Sequence, residues 1–200
     1  RSVVIEQNSQ RAIIRWNDFS ISSGETVTFV QPGSSSATLN RVTGGNKSEI
    51  HGALNANGRV YLVNPSGVVI GKSGRIHTGG GFVASTHDTG DSEFLAGGSM
   101  TFKGSSGAKV VNHGRIRATD GDVTLIAREV ENTGRIRAPR GSVNLAGGME
   151  VLLKPEGEQR VFIKSSQGAG TVSNKGRIVA TAAELRAAGG NEYALAVNNS

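Results

Sequence analysis

The sequence predicts an all-β fold, a β-solenoid of parallel-paired coils that hold about 20 residues each, with a small antiparallel element beside it. Composition is the first observation behind it. The 200 residues include 29 Gly spread along the whole chain, and only six Phe, two Tyr and one Trp. Glycine at that density works against long helices. Hydrophobic pattern is the second. Apolar residues make up 36% of the chain. They are mainly Val, Ile, Leu and Ala in short alternating runs, the period of half-buried strands. That apolar content also separates the chain from disordered and collagen-like sequences.

An internal repeat is the third observation. Ser73-Gly74-Arg75-Ile76 is followed by Val111-Asn112-His113-Gly114-Arg115-Ile116-Arg117-Ala118, by Glu131-Asn132-Thr133-Gly134-Arg135-Ile136-Arg137-Ala138, and by Ser173-Asn174-Lys175-Gly176-Arg177-Ile178-Val179-Ala180. The repeated glycines stand 40, 20 and 42 positions apart. Gly121-Asp122-Val123-Thr124-Leu125 returns as Gly141-Ser142-Val143-Asn144-Leu145. One unit of about 20 residues accounts for these intervals, with two residues inserted in the last. Leucine-rich repeats need a regular Leu grid that is missing, and helical repeats are longer. Roughly ten coils at about 4.8 Å each predict a rod about 40 to 50 Å long.

Equivalent positions then stack. Ile116, Ile136 and Ile178 are expected inside, with Ala118, Ala138 and Ala180 where the coil narrows. Asn112, Asn132 and Asn174, each two residues before Gly114, Gly134 and Gly176, read as a structural turn ladder. Asn tolerates and Gly freely adopts left-handed backbone, and stacked Asn side chains can hydrogen-bond from coil to coil. Arg115, Arg117, Arg135 and Arg137 alternate with the inward Ile residues and point outward. They form either a cationic stripe for a polyanion such as a heparin-like glycan, or a solvated edge paired with acids such as Glu129 and Glu131.

The first half is less regular. Alternating apolar runs extend from Arg11 to Phe29. Ser22-Ser23-Gly24-Glu25 reads as a hairpin turn, and Gln31 to Ser36 and Gly44 to Asn46 read as loops. Asn57-Gly58, between Leu54 and Val60, carries the strongest hairpin signal and predicts a small antiparallel element. Leu153 to Arg160 reads as a loop or hairpin protruding between coils. No linker divides the chain, so residues 1–200 are expected to form one domain.

Chemistry is sparse. The chain has no Cys, which excludes disulfides, thiolate metal sites and Cys nucleophiles. No His pair has zinc-site spacing. No Gly-x-Ser-x-Gly elbow occurs. His87 to Glu93 gathers one His and three acids without a calcium-loop spacing and reads as a solvated loop. Asp120 and Asp122 are the nearest candidates for a polysaccharide lyase or hydrolase, but the repeat mate Arg140-Gly141-Ser142 lacks both acids. No catalytic residue, metal or cofactor is expected. The net charge of +6 suits polyanions. Yet no Lys/Arg block and no interleaved aromatics occur, so nucleic acid is not an expected partner. The longest apolar stretches are too short to cross a bilayer.

The segment Asn57 to Gly71, with Asn64-Pro65-Ser66-Gly67 at its centre, and Gly80-Gly81-Phe82-Val83-Ala84-Ser85-Thr86 resemble the two-partner secretion domain. That domain opens exoproteins of the filamentous-haemagglutinin and high-molecular-weight-adhesin type. Ile13 to Ile21, Leu39 to Thr43, Val111 to Gly114 and Gly141 to Gly148 continue the likeness, which covers nearly the whole chain. The family's Asn-Pro-Asn-Gly motif stands here as Asn64-Pro65-Ser66-Gly67, and its Asn-Pro-Asn-Leu motif is absent. The resemblance implies a right-handed parallel β-helix with small extra-helical antiparallel β elements, and a secretion-targeting role without enzyme activity. A dedicated outer-membrane barrel recognises the domain in the periplasm through POTRA modules, and β-helix folding is nucleated on export. It implies a secreted or cell-surface location in a Gram-negative bacterium and a monomer. The remainder of the exoprotein would contact host glycans. Asn64 to Gly67 are expected to serve folding or transporter docking. Family members carry residues before the equivalent of Arg1, so the first coil is expected to have a missing or short cap, as in a piece of a larger exoprotein. The alternative is a glycan-binding adhesive rod.

Overall fold

Each short alternating run becomes a strand because its inward side chains find the same inward side chains one coil away. A computed structural model describes residues 1–164, 169–188 and 190–194, the last stretch by its backbone. The described residues wind into seven coils. Coil one holds β1 (Ser2–Glu6) and β2 (Arg11–Trp16), and coil two holds β3 (Thr26–Val30), β4 (Ala37–Val42) and β5 (Ser48–Ile50). Coil three holds β6 (Ala53–Ala56), β7 (Arg59–Val63) and β8 (Val68–Ile70). Coil four begins with β9 (Arg75–Thr78) and β10 (Gly81–Ser85), leaves the helix for α1 (Asp91–Ala96) and β11 (Met100–Lys103), and returns as β12 (Lys109–Asn112). Coil five holds β13 (Arg115–Ala118), β14 (Val123–Ala127) and β15 (Glu129–Asn132). Coil six runs through β16 (Arg135–Gly147), departs into β17 (Glu150–Leu153) and β18 (Val161–Ile163), and returns as β19 (Thr171–Asn174). Coil seven is β20 (Arg177–Ala187), with β21 (Gly190–Ala194) folded back on it antiparallel.

The strands build three parallel faces. Face one stacks β1, β3, β6, β9, β13 and the first parts of β16 and β20. Face two stacks β2, β4, β7, β10, β14 and the second parts of β16 and β20. Face three stacks β5, β8, β12, β15 and β19. The architecture is the parallel β-helix that the sequence predicts. The number of coils differs. Arg75 pairs directly with Arg115, and Arg135 with Arg177. The intervals of 40 and 42 are therefore single coils carrying excursions, and the stack is about 29 Å high at about 4.8 Å per coil.

The core is a set of columns. On face one Val3, Val27, Leu54, Ile76, Ile116, Ile136 and Ile178 are successive register partners. Leu54, Ile116 and Ile136 are buried at 1% exposure or less. Burying one such side chain contributes about 1.5–3 kcal/mol. At the end of the stack, Val3 and Val4 are exposed.

The hairpin expectations at Ser22–Glu25 and Asn57-Gly58 are corrected. Both are corners of the solenoid. Gly24 takes a left-handed φ of +79° in a turn closed by the Glu25 N–H to the Ser22 carbonyl at 3.0 Å. At the second corner, the Asn57 side chain brackets the Gln31 backbone, accepting from its N–H and donating to its carbonyl, both at 2.7 Å. Gln31 itself is buried and reaches Gln7, Thr38 and the Arg59 carbonyl, a polar network that closes this corner of the first coils.

The antiparallel elements arise elsewhere. The excursions of coils four and six leave from the same side, and β11, β17 and β18 join into one antiparallel sheet. The excursion around Leu153 to Arg160 is the hairpin expected there. Together with α1, this sheet covers the outside of face two. Leu39, Tyr61, Val83, Phe94, Phe102, Val151 and Val161 form a second apolar core between them. The Tyr61 and Phe94 rings meet edge-on at 5.4 Å.

Arg41 fastens the layer. Its Nε and Nη1 bind Asp88 and Asp91 at 2.9 and 2.7 Å, and Nη2 donates to the Thr89 carbonyl at 2.9 Å. Arg41 in turn holds the Asp91 carboxyl below the usual carboxylate range. The segment from His87 to Glu93 is thus an anchored strut, which corrects the solvated loop expected from the sequence. His87 is fully buried, and its Nε2 donates to the Gly148 carbonyl at 2.6 Å, tying one excursion to the other.

Two outcomes follow. Ile136→Ala leaves a hole between Ile116 and Ile178, and the urea midpoint should fall by the equivalent of about 2–5 kcal/mol with little change in slope. Burial lowers the His87 pKa below the ordinary imidazole value, so the unfolded chain takes up this proton first as pH falls. Stability contributed by neutral His87 is present above about pH 6.5 and is lost progressively as pH drops toward the folded-state value. Thermal midpoints measured between about pH 7 and 5 should decline, and His87→Gln should flatten that part of the profile.

Candidate functional site

Three corners and one face contain the residues singled out by sequence. The first corner joins face two to face three in coil three. Asn64, Pro65, Ser66 and Gly67 form a β-turn closed by the Gly67 N–H to the Asn64 carbonyl at 3.0 Å. Gly67 takes φ +115°, a left-handed value that favours glycine. Asn64 is fully buried, and its side chain is saturated. Nδ2 donates to the Asn46 carbonyl at 3.0 Å and to Ser48 Oγ at 2.9 Å, and Oδ1 accepts the Ser66 N–H at 2.9 Å. The Asn64 N–H reaches the Ser85 carbonyl one coil on, at 2.9 Å. The turn therefore links coils two, three and four. Pro65 is exposed and Ser66 half-buried. The Pro65 carbonyl accepts from Ser106 Oγ at 2.6 Å.

The second corner joins face three to face one. Asn112 Nδ2 donates to Asn132 Oδ1 at 2.8 Å, and Asn132 Nδ2 to Asn174 Oδ1 at 2.7 Å. The same column is apolar in the earlier coils, where Ile21, Ile50 and Ile70 precede Asn112. Gly114, Gly134 and Gly176 follow two residues after each Asn. Left-handed backbone is the cause that the Asn-x-Gly pattern suggests for them. The structure corrects that cause, because none of the three has a left-handed φ. They are glycine because successive coils nearly touch here. A Cβ on Gly134 would lie 2.2 Å from the Gly114 carbonyl oxygen, and one on Gly176 would lie 2.2 Å from that of Gly134.

The third corner joins face one to face two and holds Asp120 and Asp122. They line a cleft of about 150 Å³ with Arg59, Tyr61, Arg140 and Arg160. Both acids are engaged. Asp120 pairs with Arg140 at 2.8 Å and Asp122 with Arg160 at 3.1 Å. Asp122 also accepts the Ser142 N–H at 2.7 Å. The pair thus pins coil five to coil six and to the hairpin that leaves it. Among the described residues, no three His, Asp or Glu side chains gather as a metal-binding group.

On face one, Arg115, Arg117, Arg135 and Arg137 are brought together, all exposed. Arg75 and Arg177 extend the first column in both directions. These two were visible in the sequence as members of the repeat, yet only the register shows that no coil intervenes. Pairing of the arginines with Glu129 and Glu131 is not found. Glu129 is engaged instead by Lys109 on face three, which holds its carboxyl below the usual carboxylate range.

The sequence does not mark the partners of Gln31, Arg41 and His87, most of which lie far along the chain. The signals for Arg41 were weak. It is a cation in a strand otherwise lacking charge, and two acids lie in the excursion.

With this geometry in place, comparison with known proteins is specific. The family model described as the TPS secretion domain matches residues 1–199. Two heme/hemopexin-binding proteins of Haemophilus influenzae are 45% and 44% identical over 86 residues, which is 43% of this chain. The match covers 9% of those relatives' length. The crystal structure of the HMW1 secretion domain from Haemophilus influenzae superposes with a TM-score of 0.79 at 33% identity, covering 92% of this chain and 50% of that one. A family match over residues 1–199 and the shared fold lead to one conclusion: this chain belongs to the TPS secretion domain family.

Proposed function

We propose that residues 1–200 are a single secretion-targeting domain of a larger exoprotein, bound in the periplasm by the POTRA modules of a dedicated outer-membrane barrel. On export, its stack templates the coils that fold after it. The observation that carries this function is the structural match to the HMW1 secretion domain over 92% of the chain. Domain unity is supported by one apolar core that includes residues from Phe19 to Ala183. A template role is supported by the parallel register itself, since each coil takes its hydrogen-bond partners from the one before. Export through the periplasm of a Gram-negative cell, to the surface or the medium, follows from the same function. The domain carries no catalytic step of its own in this account, which agrees with the ion-paired state of Asp120 and Asp122.

The Asn64 corner has two parts. Asn64 serves folding, because every polar atom of its side chain is spent inside the domain. Pro65 and Ser66 form the outward tip and are available to the transporter.

The test is binding of the purified chain to the periplasmic modules of the barrel encoded beside it. Saturable binding with Kd of about 1 μM or tighter is expected. Asn64→Ala strips partners from Ser48, the Asn46 carbonyl and the Ser66 N–H, and should lower unfolding free energy by about 2–4 kcal/mol and reduce secretion. Ser66→Ala should keep stability within about 0.5 kcal/mol while weakening binding. Full secretion by Asn64→Ala, or no binding by a folded chain, contradicts the proposal.

A further inference from the structure

Face one of coils four to seven carries a regular array of positive charge. Arg75, Arg115, Arg135 and Arg177 are successive register partners, and Arg117 and Arg137 form the neighbouring column after His77. All six arginines are exposed. Parallel pairing spaces the rows by about 4.8 Å, and alternation sets the two columns about 7 Å apart, so the array is about 14 Å long. None of the six makes an ion pair or a side-chain hydrogen bond among the described residues. The ion pairs that do form involve Arg15, Arg41, Arg140, Arg160, Arg186 and four lysines. Arg140 marks the contrast. It stands three residues after Arg137 and is paired with Asp120.

In-register stacking of like charges is unfavourable, and mobile counter-ions offset it only in part. A single chain bearing regularly spaced anions would replace several counter-ions at once. The guanidinium fork matches sulfate and carboxylate groups in a bidentate manner. Each strand is hydrogen-bonded to its neighbours in the stack, so the array is held in place before any ligand arrives. We propose that this face is a binding site for a linear sulfated polysaccharide.

Other polyanions fit less well. The outward positions of coils four to seven on this face carry no Phe, Tyr or Trp on which successive nucleobases could stack, and His77 is a single imidazole at one end of the array. A flat sheet also offers no element to enter a nucleic-acid groove. Among the described residues the exposed large hydrophobics are Val3, Val4, Val30 and Leu95; Val3 and Val4 lie on face one but three coils from Arg75, so none of these stands beside the arginines to insert into a lipid surface. The site is separate from the Asn64 corner, which lies between faces two and three. Loss of one function therefore does not imply loss of the other.

The test uses the whole chain and heparin as the probe, in equilibrium binding across a series of salt concentrations. Saturable, salt-sensitive binding is expected. Arg115→Ser with Arg135→Ser should weaken it by about tenfold or more, and Arg117→Ser with Arg137→Ser should act the same way. A control pair of equal charge loss, Arg15→Ser with Arg128→Ser, should stay within about twofold of the unmodified chain. Circular dichroism confirms that each variant is folded. Equal losses in the control and face-one variants overturn the proposal, because net charge alone would then explain binding. Duplex DNA or phosphatidylglycerol vesicles binding as tightly as heparin in the same salt also overturn it.

Discussion

In-register parallel pairing of successive coils is the constraint on which the rest of the molecule depends. Each strand residue on the three faces lies directly above its register partner in the coil before, about 4.8 Å away. A column must therefore consist of residues that tolerate their own kind as neighbours. Isoleucine meets that requirement by dispersion and burial, as in Ile116, Ile136 and Ile178. Asparagine meets it because its amide both donates and accepts, which gives the Asn112–Asn132–Asn174 chain of hydrogen bonds. Glycine meets it where backbones almost touch. Arginine meets it only on the outside, where solvent screens the repulsion. A slip of one residue in the register would drive Arg135 and Arg137 inward and Ile136 outward, so the register is strongly specified.

The second layer follows from where the coils are interrupted. Excursions in coils four and six leave beside face two and pair with one another across coil five. Face two consequently has apolar residues on both sides, which explains why Val123 to Ala127 is buried at every position. Arg41 and His87 secure this layer at points where apolar packing alone would not fix its position. The outer layer thus combines an apolar core with directional polar contacts that set its position, whereas the stack is stabilised by repetition.

Much of the stack was legible in the sequence, because repetition in space requires repetition in the chain. The Asn-x-Gly-Arg-Ile segments at 112, 132 and 174 identified the columns directly. The interval between Gly74 and Gly114 was ambiguous. Two coils and one coil with an excursion have the same length. The discriminating sign was the missing Gly-Arg-Ile at its midpoint, where Phe94-Leu95-Ala96-Gly97 stands instead. Asn57-Gly58 misled because the turn preference of Asn-Gly suits a solenoid corner as well as a hairpin. Of the candidate positions, the Asn64 turn was visible as a motif. Its inward hydrogen bonds to Asn46 and Ser48 were not, since nothing in the chain marks those residues as neighbours. The partners of Arg41 were equally hidden, lying 47 and 50 positions away.

Function and fold meet in this geometry. In the function proposed above, a TPS secretion domain whose register is already set would offer its hydrogen-bonded corners, such as the Asn64 turn, to the transporter. The most direct measurement is export of a reporter fused behind this chain, with and without the outer-membrane barrel encoded beside it. The account predicts reporter in the medium or at the cell surface only when that barrel is present. Equal retention of the reporter in the periplasm under both conditions, by a chain shown to be folded, would contradict it.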